Sequence, residues 1–189
     1  MEVTGIILAG GESRRMGREK GLVVYAGKPL IHYPIHVLEG LCSQILISSN
    51  SKAYGYTGHR LIPDEVKEIG PVGGIHACLK ASNTSDNIVL SCDMPFISSD
   101  YLRFLLDQRK DSLAAVPWFG NDKYEPVSAY YHKDFGDVLA NHISTGNYKL
   151  PDIFKKIQIK KLAVENQGFY HKKLFYNINS LEDLANISH

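Results

Sequence analysis

Between residues 10 and 20 the chain gathers the groups that hold phosphate: Gly10-Gly11, the Ser13 hydroxyl, the cations Arg14, Arg15 and Arg18, then Gly17 and Lys20. Paired glycines let the backbone turn sharply and a ligand come close to the main-chain amides. Amides, a hydroxyl and spaced cations in one turn can neutralise and hydrogen-bond a polyanion. Two familiar phosphate loops are excluded by counting. The P-loop requires Gly-Lys-Ser/Thr at its end, and Gly17 is followed by Arg18. The dinucleotide fingerprint Gly-x-Gly-x-x-Gly is not supplied by Gly10-Gly11-Glu12-Ser13-Arg14-Arg15-Met16-Gly17.

Asp93 is the second residue whose setting implies chemistry. It follows the apolar run Asn87–Ser91 and precedes Met94-Pro95. A carboxylate at a strand end is suited either to capping a turn or to holding Mg²⁺, an ion that takes oxygen ligands and bridges phosphates. Beside a phosphate loop, the metal reading is the stronger. Asn50 and Asp64 also follow apolar runs, although each equally suits a turn. Gly73-Gly74 either begins a helix or lets the backbone pass close to a substrate. The histidines show neither His-x-His nor His-Glu-x-x-His spacing, so they form no metal set. Cys92 has no histidine or loop cation evidently paired with it, which argues against a nucleophile. Phe169-Tyr170 and Phe175-Tyr176 suit core packing better than base stacking.

These residues need a frame that brings them together. Ile6–Ala9 is long enough for one buried strand and too short for a helix. Gly21–Tyr25 reads as extended, turning at Ala26-Gly27-Lys28. Leu30 to Leu41 has helical spacing, with Pro34 either near the first turn or kinking the helix. Gln44–Ser49, Arg60–Pro63 and Asn87–Ser91 are further strands. A helix is expected over Ile75–Ala81, and another after a cap at Ser98 or Ser99. Leu113–Pro117 and Glu125–Tyr131, joined by the turn Asn121-Asp122-Lys123, imply at least one antiparallel strand in an otherwise parallel sheet.

Phe135–Ile143 and Leu150–Lys156 read as helices, and Ile157–Val164 and Phe175–Asn179 as strands. Ser180 caps a last helix, Leu181–Ile187, with Asp183 completing a capping box. Alternating strands and helices predict a three-layer α/β/α sandwich, Rossmann-like, with a mostly parallel mixed sheet over residues 1–189 as a single domain. In such sheets ligands sit beyond the carboxyl ends of the strands. Gly10-Gly11, Asn50, Asp64 and Asp93 would then share one edge.

Formal net charge is +1, so no global field recruits nucleic acid or an acidic membrane. With 44% apolar and 22% charged residues the composition is that of a water-soluble globular protein. Met1-Glu-Val-Thr leads straight into the first strand, with no secretory signal and no apolar run of bilayer length. Cys42, Cys78 and Cys92 make an odd, unspaced set that fits reduced thiols and a cytoplasmic location.

Leu8-Ala9-Gly10-Gly11-x-Ser13-x-Arg15-Met16-Gly17-x-x-Lys20 resembles the signature loop of nucleotidyltransferases that move a nucleoside monophosphate from an NTP. With Gly27-Lys28-Pro29-Leu30, Gly70-Pro71-Val72-Gly73-Gly74-Ile75, Cys92-Asp93-Met94-Pro95-Phe96 and Asn177-Ile178-Asn179-Ser180-Leu181-Glu182-Asp183-Leu184, the whole chain resembles molybdenum cofactor guanylyltransferases. The resemblance implies transfer of GMP from GTP to molybdopterin, giving a guanine dinucleotide cofactor and pyrophosphate, with Mg²⁺. It implies GTP binding by Leu8, Ala9, Gly10, Gly11 and Lys20, and a guanine nucleotide site at Asn50 and Asp64. Asp93 would bind nucleotide and metal, and Asn177 and Asn179 would face the site near the metal or the pterin.

Attack of a phosphate oxygen on the α-phosphorus needs positioning and charge neutralisation more than a strong base. Lys20, Arg15 and Asp93 with its Mg²⁺ would supply these. Partners would be GTP, molybdopterin and a molybdoenzyme or cofactor-delivery protein, with no nucleic acid and no membrane. Glu19 stands where many family members carry Asp, a difference of little consequence if this side chain faces solvent. Residues 113–170, where the acceptor would touch, match no motif. The alternatives are a CTP-dependent enzyme on the same pterin, a sugar-phosphate nucleotidyltransferase, or a nucleotide-binding module without catalysis.

Overall fold

The computed structural model describes residues 2–10, 19–180 and 182–184. In chain order its elements are β1 (Val3–Leu8), the short strands β2 (Val24–Tyr25) and β3 (Lys28–Pro29), α1 (His32–Glu39), β4 (Gln44–Ser48) and β5 (Arg60–Ile62). There follow α2 (Pro71–Ala81), β6 (Asp86–Ser91), α3 (Ser99–Gln108), β7 (Ala114–Pro117), β8 (Ser128–His132), α4 (Phe135–Ser144), α5 (Leu150–Phe154) and β9 (Lys160–Leu162). Seven strands form one sheet in the order β5-β4-β1-β6-β8-β7-β9. β8 alone runs against its neighbours β6 and β7, and the other pairs are parallel. This is the mixed, mostly parallel sheet that the sequence predicts.

Two-residue alternation in the strands divides the core. Val3 and Ile7 of β1, Ile45 and Ile47 of β4, and Ile88 and Leu90 of β6 pack with α1 and α3. Ile6, Leu8, Leu46 and Val89 face the other way, against α2, α4 and α5. Both faces are therefore covered, as a parallel sheet requires, and the three layers are observed.

Helix boundaries follow from caps. Ser98 accepts from the Tyr101 amide to start α3. Pro34 lies in the first turn of α1, where its missing N–H costs nothing. α2 begins at Pro71, four positions earlier than the apolar spacing suggests, with Gly70 as N-cap and Pro71 as first helical residue. Gly73 and Gly74 thus belong to the helix. A Cβ on Gly74 would sit on the Ser48 hydroxyl, so glycine is what lets α2 lie against the end of β4.

Other expectations need adjusting. The return strand β8 starts at Ser128, because Glu125 to Val127 is still part of the connection. Phe175–Asn179 is not a strand: it runs past the end of the sheet and takes one ladder-like bond, from the Ile178 amide to the Asp93 carbonyl (3.0 Å). Lys52–Thr57, for which no element was expected, is a 3₁₀ helix. The final cap is as anticipated: Asp183 N–H donates to Ser180 Oγ (3.0 Å), and the Asp183 carboxylate accepts from the Asn179 amide (2.7 Å). Of the helix expected over Leu181–Ile187, Leu181 and residues 185–187 lie outside the described residues.

Candidate active site

β5, β4, β1 and β6 are adjacent and parallel, so their carboxyl ends share one edge. Ladder bonds continue just past the strands: Ala9 N–H to Ser48 C=O (2.9 Å), Cys92 N–H to Leu8 C=O (3.1 Å), Ser49 N–H to Ile62 C=O (3.0 Å). Whatever follows each strand is consequently held in register with its neighbours.

At the β4–β5 end, Asn50 Oδ1 accepts from the Asp64 amide (3.0 Å) and Ser48 Oγ donates to Asp64 Oδ1 (3.2 Å). Partial burial raises the Asp64 carboxyl above its ordinary value, and hydrogen bonding to it from the Ser48 and Asn50 side chains works against the shift. Asn50 and Asp64 form one unit beside the end of β1, where Leu8 and Ala9 are buried and Gly10 is exposed. Gly11 and Arg15 lie outside the described residues.

The other half of the site centres on Asp93, whose side chain is only 4% exposed. Ser91 Oγ donates to its Oδ1 (2.5 Å). The Lys20 ammonium donates to Asp93 Oδ2 and to Asn179 Oδ1. Lys20 and Asp93 are 73 positions apart in the chain, and Lys20 and Asn179 are 159 apart. Ile178, fully buried against Val23 and Leu30, together with its bond to the Asp93 carbonyl, fixes this end of the chain. Asn177 on one side of it is half-buried, Asn179 on the other is exposed, and Asn179 Nδ2 donates to the Asn177 carbonyl (3.4 Å).

The donor set is one carboxylate plus amide and carbonyl oxygens, and in this structure two of those oxygens converge on a cation, the Lys20 ammonium. Among the described residues no three His, Cys, Asp or Glu side chains form a group able to hold a metal. Hard oxygen donors few in number suit Mg²⁺, which keeps waters and phosphate oxygens as its remaining ligands. The residues present fit that ion.

Two features escaped the sequence. Glu19 does not face solvent: it is half-buried, and its Oε2 accepts from the Tyr54 hydroxyl (3.2 Å). Glu125 is half-buried on the same edge, just before β8, within the field of Asp93. Desolvation first, and the Asp93 charge in the same direction, push its carboxyl up to about 7 against the pull of the Val127 amide. The available signal was a charged residue before an apolar run, which read as the strand's own beginning. Cys92 is a buried free thiol raised further above its ordinary value by that burial, in keeping with its exclusion as nucleophile. Phe169 and Phe175 pack on Tyr101 as core.

Residues 5–162 match the family described as MobA-like NTP transferase domain. The chain belongs to that family. A probable molybdenum cofactor guanylyltransferase of Flavobacterium johnsoniae is 33% identical to it over 186 residues, covering 98% of this chain and 96% of its own. A second, from Pyrococcus horikoshii, is 33% identical over 192 residues, covering 97% and 98%. The crystal structure of molybdopterin-guanine dinucleotide biosynthesis protein A from Archaeoglobus fulgidus superposes with a TM-score of 0.80 at 27% identity, over 97% of this chain and 95% of that one. No helix among the described residues is long and apolar enough to cross a membrane.

Proposed function

We propose that this nucleotidyltransferase moves GMP from GTP to the phosphate of molybdopterin in its molybdenum-bearing form. An acceptor phosphate oxygen bonds to the α-phosphorus, the bond to the β-phosphate bridge breaks, and pyrophosphate leaves. The observation that carries this reading is the meeting of Lys20, Asp93 and Asn179 at the mouth of the sheet. The names of the relatives support the choice of nucleotide and acceptor.

The residues divide the work. Leu8, Ala9, Gly10 and Gly11 offer backbone to the triphosphate, and Lys20 and Arg15 offset its charge. Asn50 and Asp64 face the base, where a carboxylate and an amide can read the N–H edge of guanine. Asp93, with Asn177 and Asn179 beside it, would hold Mg²⁺, which when bound supplies Lewis-acid charge at the α-phosphate. A molybdoenzyme or delivery protein would receive the product. The likeness spanning nearly the whole chain supports one domain, and three free thiols support a cytoplasmic setting.

The test is pyrophosphate release with the pterin acceptor and Mg²⁺, comparing GTP with CTP, UTP and ATP. GTP is expected to be favoured by about 100-fold or more, since a polar pocket left unpaired by the wrong base discriminates strongly. Equal turnover with CTP would remove the guanylyl assignment. GTP binding without metal-dependent release would reduce the protein to a binding module.

A further inference from the structure

The lysine that meets Asp93 sits between two residues held by one phenol. Tyr54, on the 3₁₀ helix Lys52–Thr57, is fully buried. Its hydroxyl donates to Glu19 Oε2 (3.2 Å) and accepts from the Gly21 amide (3.3 Å). Glu19 and Gly21 are the immediate neighbours of Lys20. The same short segment is tied down further by Leu22 N–H to Glu19 C=O (3.1 Å) and Ile31 N–H to Gly21 C=O (3.0 Å). A lysine side chain has four rotatable bonds and reaches many places. Fixing the backbone on both sides removes most of that freedom at its root.

Resting on the function proposed above, we infer that Tyr54 is a positioning residue for phosphoryl transfer: its hydroxyl clamps Glu19 and Gly21 so that Lys20 is aimed at Asp93 and the triphosphate. Tyr54 touches no reacting atom. It hangs from the β4–β5 connection that also carries Asn50, so the segment beside the base seat steadies the cation on the phosphates. This gives Glu19 a purpose as well. Its carboxylate is the acceptor that orients the phenol, leaving the phenolic oxygen free to receive the Gly21 N–H.

Tyr54→Phe keeps the buried ring and removes the clamp. Displacement of a catalytic group by about an ångström costs up to about 100-fold, so kcat should fall ~10- to 100-fold while KM for GTP moves less than about threefold. Glu19→Ala, nearer the surface, should give a similar loss, and Glu19→Gln, which keeps an acceptor oxygen, should recover most of it. Tyr54→Phe combined with Glu19→Ala should be little worse than either alone, because both act through one contact. Wild-type kcat in Tyr54→Phe, or losses that multiply in the double variant, overturns the inference.

A wild-type protein that releases no pyrophosphate from GTP fails the functional proposal instead. The clamp is then read from a crystal structure of Tyr54→Phe. Loss of the Lys20–Asp93 contact sustains it, and an unmoved Lys20 refutes it.

Discussion

The two halves of the sheet deliver their functional groups by opposite rules. On one side β5, β4, β1 and β6 run parallel, and each contributes the residues that follow it: Asp64, Asn50, Gly10 and Asp93. On the other side β8 is reversed, so its first residue lies at that edge: Ser128 pairs with Leu90, next to the end of β6. What β8 contributes therefore precedes it, and that residue is Glu125. A polar residue after each buried run marks the parallel half and passes over Glu125. The lesson is directional. In a mixed sheet the search must be turned round wherever a strand is.

The contrast is broken most severely at Asp93 and Lys20. On the function proposed above, Asp93→Ala or Lys20→Ala should lower pyrophosphate release by about 1,000-fold or more, since each would remove charge where the transition state needs it. Both should retain the wild-type circular dichroism spectrum. Either variant turning over at the wild-type rate would leave the parallel half without a catalytic role.

A smaller effect tests the reversed half. Folding raises the Glu125 carboxyl from 4.5 to about 7, so the folded chain binds a proton that the unfolded chain has released between those limits. The stabilisation is complete below about pH 4.5 and is lost as pH rises through about 7. Glu125→Gln cannot ionise. Without metal, its melting temperature relative to wild type should climb across that interval and level off above it. A difference independent of pH would show that Glu125 is not desolvated.

The smallest expected change lies at the opposite edge of the sheet. There Asp86 Oδ1 accepts from Arg109 Nε (3.0 Å) and from the Tyr130 hydroxyl (2.8 Å). Asp86→Asn should cost about 1–2 kcal/mol in chemical denaturation, the worth of hydrogen bonds to a charged group in a partly buried setting. Its kcat should be unchanged. A large loss of activity would mean that the two edges are coupled, and that the division into site and scaffold is wrong.

Most of the fold could be read from the chain. Short apolar runs gave the strands, Ser98 or Ser99 and Ser180 gave helix starts, and the Asn121-Asp122-Lys123 turn implied the reversed strand. The misplaced start of α2 shows the limit of apolar spacing. Gly73 and Gly74 carry no hydrophobic signal, and their place in the helix is set by what they pack against, Ile69 and Ser48. The supposed strand Phe175–Asn179 shows another limit. Its residues suit an extended segment, but Tyr176 N–H turns back to Lys173 C=O (3.0 Å), and the Ile178 bond to Asp93 falls past the end of β6.

By itself the sequence determined the order of strands and helices and the one-sided presentation of Gly10, Asn50, Asp64 and Asp93, because local periodicity and strand direction are properties of neighbouring residues. Only the tertiary structure decided that the Lys20 ammonium donates to both Asp93 and Asn179, that Glu19 turns inward to Tyr54, and that Glu125 loses its water. Each of those depends on contacts between residues far apart in the chain, and on burial, which no short stretch of sequence encodes.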